Sequence, residues 1–276
     1  MEANITKTGY ILGRNISESV RLDAQHLLLT YHCGYVLHPH ICVSESMNIA
    51  EVGTGTGRWL LDVARAVPET VQLDGFDVSD SQFPPRRMWP PNVTMSALNS
   101  LQDPPLHLRG KYNVVHLRMW TCIIQQNDPT PLIRHAKSLL KPGGYIQWED
   151  ADLGNHIICG ERAENFSKMM RRLYDAARIQ HSWLAELPKH LMREGLAVVE
   201  FQERNFAAPL VPLCINTYIM AHFDIIQARK DLLKESLQPY NIKHGSAYYW
   251  KPLTLLAQKS MEGTSCDEPG NKTAGI

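Results

Sequence analysis

Ile49-Ala50-Glu51-Val52-Gly53-Thr54-Gly55-Thr56-Gly57 reads as a short apolar strand, a glycine-rich turn and the entry to a helix. Glycine has no Cβ and reaches positive φ freely, so such a turn lets backbone N–H groups approach a ligand closely. A dinucleotide fingerprint G-x-G-x-x-G places its third glycine where this chain has Arg58; the third glycine comes one residue early, at Gly57. A phosphate-binding P-loop wants Lys-Ser or Lys-Thr after its last glycine, and Trp59-Leu60 follow instead. Glu51 stands two residues before the first glycine, where a carboxylate repels a pyrophosphate and suits a cationic ligand.

Val71-Gln72-Leu73-Asp74-Gly75-Phe76-Asp77-Val78-Ser79 reads as the next strand, with Asp77 twenty positions after Gly57 (77 − 57). In a β-α-β unit this spacing brings the end of the second strand beside the glycine turn. An acid there can accept hydrogen bonds from both ribose hydroxyls of an adenosine. Asp77 with Ser79 and Asp80 also suits a helix N-cap, but that reading leaves the spacing unexplained.

The 276 residues fit one large domain or one domain with an inserted cap, and at 44% apolar content a full core forms without metals or disulfides. A net charge of zero argues against a nucleic-acid partner and against an anionic membrane surface. No apolar run approaches the ~20 residues needed to span a bilayer. The opening Met1-Glu2-Ala3-Asn4 lacks the plan of a secretory signal. Cys33, Cys42, Cys122, Cys159, Cys214 and Cys266 form no C-x-x-C pair, which suits a reduced, cytoplasmic chain.

Strand patterns fall at 48–52, 71–77, 92–97, 112–118 and 144–150, alternating with helical ones and punctuated by Pro68, Pro90-Pro91, Pro104-Pro105 and Lys141-Pro142-Gly143-Gly144. This alternation predicts an α/β fold, a parallel sheet covered by helices. Residues 1–46 read as an N-terminal segment with a helix from about Ser17 to Thr30. Residues 161–194 and 212–238 read as helical, separated by a strand from Leu196 to Arg204 and followed by a last strand at Leu253–Ala257. The expected organisation is a lid over 1–46, a core over 47–258 carrying those two cap segments, and a polar tail over 259–276 that reads as disordered.

The chain resembles class I S-adenosylmethionine (SAM)-dependent methyltransferases, and more narrowly the fungal LaeA-like methyltransferases of secondary metabolism. The resemblance covers about residues 9–258. It rests on Tyr10-Ile11-Leu12-Gly13-Arg14, on Arg21-Leu22-Asp23-Ala24-Gln25-His26, and on the Glu51-to-Gly57 turn with Asp77-Val78-Ser79. Tyr112-Asn113-Val114-Val115-His116-Leu117-Arg118 and Leu140-Lys141-Pro142-Gly143-Gly144-Tyr145-Ile146-Gln147-Trp148-Glu149 complete it. The resemblance implies a Rossmann-like seven-stranded sheet with its last strand antiparallel, a helical cap and an N-terminal lid. It implies SAM as cofactor, no metal, and O- or N-methylation of a small metabolite. Two departures stand out. Asn99 takes the place of the usual Asp that meets the adenine amino group, and Asn113 replaces an Asp at a position expected to be peripheral. An Asn carbonyl still accepts from an amino group.

On this reading Glu51, Gly53, Gly55, Gly57, Asp77, Asn99 and Arg118 form the cofactor site, with the donor across the strand C-termini at the switch between the first and fourth strands. Arg118 is expected to hold a carboxylate: that of the donor, Glu149 or Asp150. The candidate bases are His181 first, then Glu149, then His222. Tyr10, Gln25, His26, Trp120 and Trp183 are the expected acceptor contacts. Trp120 equally suits a core aromatic. His26, His32, His38, His40 and Cys42 crowd one segment without the spacing of a zinc site, so no metal is expected. The partner is a small-molecule acceptor, and the chain a monomer or homodimer. Two other readings keep the fold: a cyclase or pericyclase that transfers no methyl group, and a regulatory protein-binding homologue.

Overall fold

Short apolar runs bounded by proline and glycine become the strands of one sheet. The computed structural model describes residues 13–227 and 247–261. Among them the strands are β1 (Asn48–Val52), β2 (Gln72–Asp77), β3 (Val93–Ala97), β4 (Tyr112–Arg118), β5 (Leu140–Cys159), β6 (Leu196–Glu203) and β7 (Ala247–Lys259), in the order β3-β2-β1-β4-β5-β7-β6. β7 runs antiparallel to both of its neighbours, as expected for the last strand. Ile49 to Val52 are all buried, because a central parallel strand is covered on both faces.

The helices follow their capping signals. α1 (Ile16–Cys33) begins at Asn15, whose side chain accepts from the Glu18 N–H at 3.0 Å, and ends at Gly34 with φ +78°. α2 (Arg58–Ala66) turns Trp59, Leu60 and Val63 onto the sheet. α3 (Thr130–Leu139) has Pro131 in its first turn and buries Leu132, Ile133, Ala136 and Leu139. Each fully buried leucine, isoleucine or valine among these contributes ~1.5–3 kcal/mol.

The sheet order reverses between β1 and β4, so the turn after β1 and the loop after β4 diverge and open a crevice. β5 and β7 continue past the sheet as a two-stranded ribbon. Asp152 Oδ1 accepts from the N–H groups of Gly154 and Asn155 at 3.0 and 3.1 Å, the register shifts there, and pairing resumes to Cys159 opposite Ala247. The expected strand at 144–150 is therefore much longer, at both ends. α4 (Glu161–Ala176) and α7 (Val211–Gln227) pack on this ribbon around Phe166, Met170, Tyr174, Tyr218, Tyr248 and Trp250, and α1 packs along α7.

The helical stretch expected at 161–194 is broken in the structure. α4 stops before Arg178, which adopts φ +56°, and α5 (Ser182–Ala185) and α6 (Leu187–Arg193) turn back onto β5 and β6. Trp183, Leu184, Leu187 and Leu191 pack there in one cluster with Trp148. Of the stretch expected at 212–238, the part after Gln227 lies outside the described residues, as does the tail from residue 262. No described helix is long and apolar enough to cross a membrane.

Candidate active site

The glycine turn is pinned from beneath. The N–H groups of Gly53 and Thr54 both donate to the Phe76 carbonyl, at 2.7 and 2.9 Å, and the Gly55 N–H donates to Asp77 Oδ2 at 2.9 Å. Gly53 and Gly55 have φ of +77° and +54°, which L side chains rarely adopt. Their surroundings are closed as well. A Cβ on Gly53 would stand 3.0 Å from the Trp120 indole, and one on Gly55 would stand 3.2 Å from Leu22 of α1.

A cavity of about 290 Å³ runs along this turn. At its inner end stand Glu51, which accepts from the Thr54 hydroxyl at 2.5 Å, and Asp77. Burial pushes the Asp77 carboxyl up from its ordinary range, opposed by the Gly55 and Ser79 N–H groups and by the Arg14 charge. The loop from Leu98 to Leu101 closes one side, with Asn99 Oδ1 accepting from the Leu101 N–H at 3.0 Å.

From the cavity wall into the core a line of charged groups crosses five elements. His26 Nε2 meets Asp62 at 2.9 Å, and its Nδ1 meets the Arg118 guanidinium at 2.9 Å. A guanidinium can only donate, so Nδ1 accepts and the ring proton sits on Nε2. Burial, then the Arg118 charge, lowers the pKa of His26 from its ordinary value. Arg118 pairs with Glu149 at 2.7 Å, and His116 Nε2 meets the same Glu149 oxygen at 2.7 Å. His116 Nδ1 lies 3.4 Å from Glu51, with Trp59 stacked on the ring at 3.7 Å. Burial works against the Glu149 charge, but Arg118 and His116 prevail and hold its carboxyl well below the usual carboxylate range.

Asp150 organises the loop after β4. Its two oxygens accept from the N–H groups of Trp120, Thr121 and Ala151, at 3.0, 3.2 and 2.8 Å, and from Trp148 Nε1 at 2.9 Å. Met119, on the cavity wall, is held in the left-handed region at φ +57°.

The outer end of the cavity is formed by α1, α7 and the ribbon. Arg21 Nε and Nη2 both donate to Glu18 Oε2 at 3.1 Å, and Nη1 donates to Gln25 Oε1 at 3.2 Å. His222 is fully buried, with Nδ1 against the Tyr218 carbonyl at 2.8 Å and Nε2 against the Tyr174 hydroxyl at 3.0 Å. Burial brings its pKa down to about 4.

Of the residues expected at the site, Glu51, Gly53, Gly55, Asp77, Asn99, Arg118, Gln25, His26, Trp120 and His222 line one cavity. Gly57 sits behind the turn: a Cβ there would meet the Met95 thioether. Three expected contacts lie elsewhere. His181 packs edge-on against Tyr174 at 4.7 Å, and Trp183 packs in the core against Trp148 at 5.9 Å. Neither borders the cavity, because α5 turns back toward β5 instead of roofing the crevice. Glu149 is likewise absent from the wall, and as an ion-paired anion it is a poor proton acceptor. Arg118 is matched to Glu149. Asn113 ties the Asn48 N–H and the Lys141 ammonium at the far end of β4. Tyr10 lies outside the described residues. Sequence reasoning gave no role to His116, Asp62 or Thr54 and missed the hub at Asp150. The acid doublet ending β5 was the one signal for that hub.

The sheet order, the glycine turn and the acids at the ends of β1 and β2 are the arrangement expected of the class I, SAM-dependent methyltransferase fold. The chain belongs to the methyltransferase domain family, whose sequence profile matches residues 38–207. It is similar to methyltransferase grgD of Penicillium sp (36% identity over 52% of each chain). It is also similar to N-methyltransferase tcpN of Claviceps purpurea (35% identity over 57% of this chain and 56% of that one). The chain spans about half the length of the relatives it matches. Among solved structures it resembles the [4+2]-cyclase SpnF, with a TM-score of 0.55 and 17% identity over 87% of this chain and 81% of that one; this likeness shows the fold. SAM is the cofactor of the class, and the site suits it. Two carboxylates face the inner end, where a cation is favoured, and at Gly53 and Gly55 a Cβ would crowd the cradle.

Proposed function

We propose that this chain transfers a methyl group from SAM to a nitrogen of a small organic acceptor. One observation carries the preference for nitrogen. The two histidines on the cavity wall, His26 and His222, have both ring nitrogens committed to other groups. An alcohol needs a general base to attack, whereas an unprotonated amine brings its own lone pair. The similarity to an N-methyltransferase points the same way.

In this reading Glu51, Asp77, the turn from Gly53 to Thr56 and Asn99 hold the donor. When bound, it supplies an electrophilic methyl group on a sulfonium. The work of the chain is alignment and exclusion of water. Trp120 caps the turn, and Met119, Tyr218 and Trp250 wall the acceptor end. Holding the nitrogen in line behind the methyl carbon, ~3 Å away, is worth several kcal/mol. The ammonium formed releases its proton to solvent.

The test is product mass after incubation with SAM and a panel of primary and secondary amines and alcohols. One added methylene on an amine supports the proposal. An isomer of the substrate, or methylation of alcohols alone, overturns it. His222→Phe should lower kcat less than about tenfold, because loss of a true general base costs ~10²–10⁴-fold.

A further inference from the structure

Arg21 and Glu18 are each 4% exposed, and Gln25 is 7% exposed. A buried ion pair is weak evidence of stability, since desolvation offsets much of the attraction. Here it has a geometric consequence. Arg21 presents only donors, so the Gln25 atom 3.2 Å from Nη1 must be the carbonyl oxygen. The amide orientation is thereby fixed, and the two Nε2 protons turn the other way. Among the described residues Gln25 Nε2 has no hydrogen-bond partner, and Gln25 lines the cavity. Elsewhere the cavity wall includes groups that are apolar or already matched. Leu153, Ile123 and Met119 offer no polar side chain, and the Tyr218 hydroxyl meets that of Tyr174 at 2.9 Å. An unspent amide donor pair on such a wall selects for an acceptor oxygen.

We propose that Gln25, oriented by the Glu18–Arg21 pair, reads a carbonyl oxygen of the acceptor, so that the substrates are amines carrying an amide or keto group beside an aromatic or aliphatic body. This rests on the methyltransferase reading above. It makes Gln25 a specificity-determining residue and Arg21 a positioning residue.

The experiment compares two compounds, phenylalaninamide and phenethylamine, which share ring and amine and differ in the carboxamide. Their binding to the full chain is measured by calorimetry in the presence of S-adenosylhomocysteine. The wild type should favour phenylalaninamide about three- to tenfold, the range of one neutral hydrogen bond. Gln25→Leu and Gln25→Glu should both erase that preference and leave the S-adenosylhomocysteine affinity within about twofold. Arg21→Met should weaken the preference, since the freed amide can turn over. Equal binding of the two compounds by the wild type, binding of neither, or a loss in Gln25→Leu that falls on S-adenosylhomocysteine overturns the inference. Failure of the wild type to bind S-adenosylhomocysteine at all would instead sink the methyltransferase reading beneath it.

Discussion

Asp77 accepts the Gly55 N–H on one oxygen and the Ser79 N–H on the other, at 2.9 and 3.2 Å, and each oxygen keeps a further lone pair. The same carboxylate can therefore hold the turn in shape and still receive the ribose. Asp77→Ala should weaken SAM binding by about 1.5–3 kcal/mol, roughly ten- to a hundredfold, measured by calorimetric titration. Undiminished affinity would show that the ribose lies elsewhere. Gly57 tests backbone conformation apart from ligand contact. Its φ is +70°, and a Cβ would run into the flexible end of Met95. Because that methionine can swing aside, Gly57→Ala should cost mainly the left-handed strain, about 1–2 kcal/mol in denaturant unfolding.

Among the elements, the loop from Met119 to Cys122 depends most on one side chain. Asp150→Ala leaves its backbone N–H groups and the Trp148 indole without an acceptor, and should lower stability by at least about 3 kcal/mol. Asp150→Asn, which keeps one acceptor oxygen, should fall between. A variant as stable as the wild type in urea would mean that water takes over those donors. The pattern of what the sequence revealed follows from the same local physics. β1 and β4 were legible to the residue, because buried parallel strands are short apolar runs with sharp ends. The length of β5 was hidden, because Gly154-Asn155 looks like a terminator and acts as an irregularity within a ribbon. Glu51 was legible because it stands two residues before the turn, and Asp77 because the twenty-residue spacing of a β-α-β unit brings it back to that turn. Glu149 was offered both as a base and as a partner of Arg118, because the groups that decide between the two belong to another strand. Only the register that sets Arg118 beside Glu149, and His116 beside Gln147, brings them together. The inward face of α5, and with it the placement of His181 and Trp183, depends on a helix break at Arg178 that no glycine announces.

At the scale of the whole molecule, buried and half-buried histidines set the response to acid. His222 and His181 are lowered to about 4 and His156 to about 3, chiefly by burial. Each is neutral when folded and protonates more readily unfolded, so its contribution is full above pH 6.5 and is lost as pH falls through about 4 for His222 and His181 and about 3 for His156. Asp150, raised to about 6 by burial, runs the other way: its contribution is greatest below 3.8 and is lost as pH rises through about 6. With three histidines against it, the melting temperature should drop between pH 6.5 and 4. A flat or rising profile toward acid would contradict this account.

The sandwiching of the glycine turn between Leu22 and Trp120 bears on where this protein can be cut. The seven strands begin at Asn48, and a recombinant piece starting there would contain every strand of the sheet. It would nonetheless lack Leu22, Gln25 and His26, leave Arg118 without its histidine neighbour, and expose the flank of α7 that α1 covers. The minimal unit for expression thus starts no later than Asn15, the cap of α1, well ahead of residue 38, where the family profile begins to match.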